Sequence, residues 1–284
     1  MADGPTVRRR RLGAELRALR ENNGFKLEEV ADRLGIAPST LSRIETGKAP
    51  TKTAYLTAML SLYQVTDSGA RQVLLEMARE GHRKGWWSVY DDVLPSGMGM
   101  YVGLEAEASG LRSYEAMVIH GLLQTPEYAR AVLKEMYPRH TEDQIRRMSD
   151  VRVERQRRLD GESPFDLWVI HDECVIRRMV GGTAVMRMQL SHLLADAERP
   201  GVTMQVLPFE SGAHAGSSGS FSVMEFPERS DADVVFLDSV AGVIFLEKDR
   251  DVGDRTEAFD RLRAAALSPP ASADLVARVS RELA

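Results

Sequence analysis

Along the amino-terminal third, apolar residues recur at intervals of three and four. Leu12, Leu16 and Leu19 share one face of a helix that the pattern carries to Asn22. Asn22-Asn23-Gly24 tolerates left-handed backbone and stops it. Leu27, Val30, Ala31 and Leu34 form a second, shorter set that Gly35 ends. Pro38 suits the first turn of a third helix, with Leu41 and Ile44 inward and Thr46-Gly47 as its stop. Tyr55, Met59, Leu62 and Tyr63 predict a fourth helix. Val73, Leu74, Met77 and Ala78 predict the inner face of a fifth, over 69–83. The residues through about Thr6 lack periodicity and read as a mobile arm.

Beyond residue 85 the period alternates between helix and strand. VGLEAEASG predicts a helix and RSYEAMVI a strand. Thr125-Pro126-Glu127 opens a helix with a cap, a first-turn proline and a first-turn acid. Thr141 and Gln144 form a capping box for a helix running to about Leu159. FDLWVIHD is a buried strand, and 183–197 a helix with Val185, Met188, Leu193 and Leu194 inward. VTMQVLP, SFSVMEF, DVVFLD and AGVIFL follow as four strands, and helices near 252–267 and 269–283 close the chain. Helices mixed with a run of neighbouring strands give an α+β domain.

Composition adds a division. The 284 residues suggest two domains, placed at 1–80 and 86–284. The net charge of −5 hides +5 over residues 1–85 and −10 over 86–284. A basic module that meets a polyanion and an acidic body that does not is the reading this favours over chance unevenness. Cys174 is the only cysteine, which excludes an internal disulfide or a cysteine-based zinc cluster. With no apolar run long enough to span a bilayer and no hydrophobic stretch behind the first arginines, a soluble cytoplasmic chain without membrane contact is expected.

Between Leu27 and Gly47 the spacing is specific. Ala31 is small where two helices cross, Gly35 turns the chain, and Ile36 fills the gap between the helices. Two helices with a tight glycine turn form a helix-turn-helix. LEEVADRLGIAPSTLSRIETG resembles the lambda-repressor/Cro, or XRE, class of regulators over roughly residues 7–65. That class lays its second motif helix in the DNA major groove. The resemblance puts Ser39, Thr40 and Arg43 on that surface. Arg43 suits guanine, whose O6/N7 pair matches its planar fork, and this is favoured over a merely solvated residue. Lys48 and Lys52 are assigned to phosphates. Arg8, Arg9, Arg10 and Arg11 read equally as a minor-groove arm or as a solubilising run. Arg20 and Glu45 match a pair joining the first and third helices in related repressors, which implies a structural ion pair. Two departures, Leu27 where the class often has Gln and Ala37 where it often has a Ser or Thr cap, remove phosphate contacts.

The second half carries GWWSVYDDVLP, GLEAEASGLRSYE, GLLQTPEYARA, VMRMQLSHLL, MQVLPFESGAHAGSSGSF and FDRLRAAALSP in order. This series resembles actinobacterial regulators with an XRE-type head and an antitoxin-like carboxyl-terminal domain. The resemblance implies a small protein partner. His120 stands where those regulators usually have Pro, so a less rigid turn is expected there.

Catalytic motifs are weak. HDEC at 171–174 reads as a strand end with Asp172 capping a helix, in preference to a catalytic thiol. GAHAGSSGS fits no phosphate-loop pattern and reads as a flexible loop. The six arginines and five acids over 141–160 balance as a solvated face. The methionines, Met179, Met186, Met188, Met204 and Met224 among them, suit core filling before an adaptable groove. No catalytic residue, metal site or cofactor is expected.

Together these features predict a multidomain chain: an all-α lambda-repressor-like helix-turn-helix head followed by an α+β body. The expected function is transcriptional regulation by sequence-specific binding to a double-stranded operator. The body would dimerise the chain and respond to a small protein partner or a ligand. The alternatives are an antitoxin-like protein that chiefly sequesters a small partner, or a small-ligand sensor.

Overall fold

A computed structural model describes residues 7–81, 85–160, 165–227, 232–239 and 242–283. The chain divides into two compact units, one of 1–89 with 97–107 and one of 90–96 with 108–284. The expected arm through Thr6 lies outside the described residues, as does the predicted end of the fifth helix at Arg83.

The first unit is helical. It holds α1 (Val7–Asn22), α2 (Leu27–Leu34), α3 (Pro38–Glu45), α4 (Thr53–Leu62), α5 (Ser68–Gly81) and α6 (Met98–Glu107). Leu12, Leu16, Val30, Ala31, Leu41, Ile44, Leu56, Met59, Leu60 and Tyr63 form its core. Three expectations need correction. Arg8–Arg11 are not an arm, because they form the first turn of α1. On α4 the innermost residues are Leu56, Met59 and Leu60, whereas Tyr55 and Leu62 are only half-buried. On α5, Leu74 and Ala78 face inward, and Val73 points to solvent at 55% exposure.

The second unit is a mixed sheet with helices. Its strands are β1 (Gly110–Glu115), β2 (Asp166–Asp172), β3 (Val202–Leu207), β4 (Phe221–Glu225), β5 (Val234–Ser239) and β6 (Gly242–Leu246). They lie in the order β3-β2-β1-β4-β5-β6. β1, β2 and β3 are parallel, and β4, β5 and β6 form an antiparallel meander joined to β1. The parallel connections run through α7 (Pro126–Met136) and α8 (Glu142–Gln156), then through α9 (Glu173–Arg177) and α10 (Thr183–Asp196). α11 (Asp249–Ala265) and α12 (Pro269–Glu282) follow the sheet. Phe259 and Leu262 of α11 pack on Tyr114, Ile170, Phe221 and Val235 from one sheet face. Leu111, Val169, Met204 and Val206, on the other face, are also buried.

Caps set several boundaries. Thr125 Oγ1 accepts from Tyr128 N at 3.3 Å, and Asp172 Oδ1 from Cys174 N at 3.0 Å. Thr141 and Gln144 exchange hydrogen bonds at 3.2 and 2.8 Å. The α-helix they open ends at Gln156, short of Leu159, and tightens into a 3-10 turn. RSYEAMVI is strand only to Glu115. α10 buries Met186, Gln189, Leu190 and Leu193, so its inner face is rotated from the expected one and Met188 is exposed.

Candidate nucleic-acid interface

The turn between α2 and α3 is built from small residues. Ala31 is fully buried, Gly35 adopts φ 65°, and Ile36 N returns to Ala31 O at 3.0 Å. Leu41 and Ile44 anchor the inner face of α3, leaving the opposite face outward. Ser39 and Arg43 are exposed there, four residues apart, and Thr40 is half-buried beside them. Ala37 occupies the N-cap and its side chain makes no capping bond. After α3 the chain folds back, with Ala49 N donating to Arg43 O at 3.0 Å, which keeps exposed Lys48 near the helix end. Lys52, also exposed, extends over the Tyr55 ring at 5.7 Å. Ser39, Thr40, Arg43 and Lys48 thus cluster on and just after one helix.

Behind that surface α3 is locked to α1. Arg20 Nε donates to Glu45 Oε1 at 2.7 Å and Nη2 to Glu45 Oε2 at 2.9 Å. Its remaining nitrogen donates to Phe25 O at 3.0 Å. Both residues are buried, and the hydrogen bond to Glu45 holds the Arg20 pKa above its ordinary value. Burial, followed by the Glu45 charge, pushes the nearby Tyr63 phenol up to about 12. Two glycines permit the close crossing: Gly47, expected as the stop of the third helix, and Gly13, which the apolar pattern does not single out. A Cβ on Gly13 would lie 2.5 Å from Glu45 O, and one on Gly47 would lie 2.8 Å from the Arg10 backbone. An isolated glycine within a helical pattern was the available signal for Gly13.

The arginine run divides. Arg9 is 5% exposed and its Nε donates to Gly81 O at 2.7 Å, so it ties α1 to the end of α5 and is not placed for a groove. Arg8 is exposed, and Arg10 and Arg11 are half-buried. At the start of α2, Glu29 accepts from Lys26 N at 2.8 Å, so the chain's own carboxylate occupies a backbone donor that a phosphate would use.

In the second unit the suspected chemistry is pinned in place. The Cys174 thiol donates to Ala116 O at 3.1 Å, and burial pushes it up to about 11. GAHAGSSGS is not a loose loop. Gly216 sits against the Tyr114 ring, where a Cβ would lie 2.3 Å away, and Ser220 Oγ accepts from Ala116 N at 2.9 Å. The turn at His120 is not loose either. His120 N donates to His171 Nε2 at 3.2 Å, and His120 Nδ1 accepts from Leu122 N at 3.3 Å. Of the five methionines, Met186, Met204 and Met224 are buried, whereas Met179 and Met188 are exposed. No helix among the described residues is long and apolar enough to cross a membrane.

Two family models match the chain. One, described as a helix-turn-helix domain, matches residues 11–73. The other, described as a domain of unknown function (DUF5753), matches residues 98–278. Neither a search of curated proteins nor one of solved structures found a match.

Proposed function

We propose, from the premise that the chain belongs to the DUF5753 family and carries a helix-turn-helix domain at its head, that it is a sequence-specific transcriptional regulator of the XRE type. The observation that carries this reading is the outward face of α3. Ser39, Thr40 and Arg43 stand on it, while Leu41, Ile44 and Glu45 hold the opposite side in the core. A rigidly seated helix with an exposed arginine fits major-groove reading. Arg43 takes guanine, Ser39 and Thr40 take base edges or phosphates, and Lys48 and Lys52 take the backbone. One such helix reaches few base pairs, so the regulator acts as a homodimer in the cytoplasm. Its acidic body supplies the dimer contact and answers to an antitoxin-type small protein partner or a ligand, without catalysis of its own.

The test selects an operator from random duplexes with the full chain and compares Arg43→Ala. Loss of a bidentate arginine–guanine contact is worth about 1–3 kcal/mol, a fall of roughly five- to 150-fold, with relaxed preference at one position. Unchanged affinity and unchanged preference would remove Arg43 from the reading surface.

A further inference from the structure

The two edges of the sheet are finished differently. At one edge β3 is closed by its own chain. Val206 N donates to Ser272 Oγ at 2.9 Å, and Leu267 N donates to Val206 O at 2.9 Å. Gln205 Nε2 adds a bond to Leu267 O at 2.8 Å, and α12 packs along the strand. At the other edge lies β6, and among the described residues β5 is its only strand neighbour. In an antiparallel ladder alternate residues turn their N–H and C=O away from the partner strand. The outer row of β6 therefore has no strand to bond among the described residues.

β6 also lacks the devices that blunt such an edge. Gly242–Leu246 holds no charge and no proline, and its residues pair with β5 in unbroken register, so no bulge twists it away. Both of its faces are apolar. Ile244 stands opposite Leu237, on the face that Phe259 and Leu262 of α11 seal, yet Ile244 itself is 44% exposed. Phe245, half-buried on the other face, meets the Phe236 ring edge-on at 5.7 Å. A strand added here must be apolar on both faces and must bring a free edge of its own. β6 of a second copy has both properties. Antiparallel pairing about a two-fold axis normal to the sheet sets like faces side by side, apolar against apolar. No like charges meet within the strand, although residues 86–284 carry −10 in each copy. The pairing also consumes both free edges, so the assembly closes at two copies.

We propose that β6 is the dimer contact of the body, pairing antiparallel with β6 of a second copy so that one sheet runs through both bodies. Main-chain hydrogen bonds hold the two strands together, and Ile244 and Phe245 extend the apolar layer on either face. The proposal names the surface for the homodimer of the regulator reading and rests on that reading for its use, which is to bring two heads to one operator. A strand this short makes a small contact. Association is therefore concentration-dependent in solution, and it is completed when both heads hold one duplex.

The test follows the mass of the full chain without DNA, by sedimentation across a concentration series, and reads hydrogen exchange of the β6 amides at both ends of the series. The expected result is a monomer–dimer equilibrium in which the outward amides of β6 gain protection as the dimer forms. Ile244→Lys sets two ammonium groups against one another at a position already exposed in the monomer. It should raise the dimer dissociation constant about tenfold or more. Ile244→Val, which keeps the strand apolar, should leave that constant near the parent's. The exchange measurement needs no substitution, so it stands whether or not a variant folds. A parent that stays monomeric to about 0.5 mM leaves the edge to a foreign strand and overturns the proposal. A dimer as tight in Ile244→Lys, or one whose β6 amides exchange as fast as the monomer's, also overturns it. A monomer that still selects an operator removes the strand pairing and leaves the regulator, whereas a strand-paired dimer that selects none removes the regulator alone.

Discussion

Arg20 and Glu45 place opposite charges where little water reaches either, and each completes the other's hydrogen bonds. Removing one partner of such a pair strands the other, at a cost of about 3–5 kcal/mol. Glu45→Ala is therefore expected to lower the stability of the helical unit by that amount in chemical denaturation, and a change near that of a surface bridge would contradict it. The body carries a second test at this scale. Burial pushes His171 down to about 3, and burial with the Arg155 charge holds His120 well below its usual range. Both stay neutral when folded and take up protons when unfolded, so their stabilisation is present above the unfolded pKa of about 6.5 and is lost as pH falls. Glu115 works in the opposite sense. Its folded pKa is raised to about 7, so it favours the folded state at low pH and loses that advantage as pH rises through 7. Between about pH 6 and 5 the two histidines therefore cost stability as pH falls, a slope that Glu115 partly offsets. His171→Gln removes one histidine and should flatten that slope, which denaturation curves at the two pH values would show; a slope as steep as in the parent would contradict the assignment.

At the scale of elements, the crossing of α1 and α3 depends on the absence of a side chain at Gly13. Gly13→Val would drive its Cβ into the Glu45 and Ile44 carbonyls. Neither can yield without moving α3, so a loss of about 1–3 kcal/mol is expected from overpacking. Operator affinity should fall together with stability in the same protein, and a variant as stable as the parent would contradict the close approach. The helices themselves were legible, because three-four spacing, glycine stops and Thr or Asp caps act within a few residues. Their inner faces were less so. On α4, Leu56 and Leu60 compete with Tyr55 and Leu62 for the core, and only packing against α1, α2 and α5 decides between faces a fraction of a turn apart. The burial of arginines on α8 was hidden for a related reason. Six arginines among five acids balance as a solvated face, yet Arg155 is buried and Arg152, half-buried, donates to Gln124 Oε1. The four successive strands could be read from their alternation. The parallel pairing of β1, β2 and β3 depends on partners more than 30 residues apart, which no local pattern encodes.

For the whole molecule, the divided charge becomes a statement about binding. The 15 basic residues against 10 acidic ones over 1–85 include Arg43, Lys48 and Lys52 on the exposed side of the helix-turn-helix. Arg20 is neutralised by Glu45 and Arg9 is held by Gly81 O, so neither is available to a phosphate. The count of charges therefore overstates the count of contacts, and a salt titration distinguishes the two. Each phosphate neutralised contributes about −0.9 to the slope of log affinity against log salt. Lys48→Ala and Lys52→Ala should each lower the magnitude of the slope by roughly one per operator half-site and weaken all sequences alike. Arg43→Ala should instead change the preference among sequences. A slope insensitive to both lysines would move the backbone contacts away from the end of α3, to the exposed Arg8 or to other basic residues of the head. If the active species is a dimer, the loss per substitution doubles and the footprint shows two half-sites about one helical turn apart; a single uninterrupted half-site with an undoubled loss would mean that one head suffices.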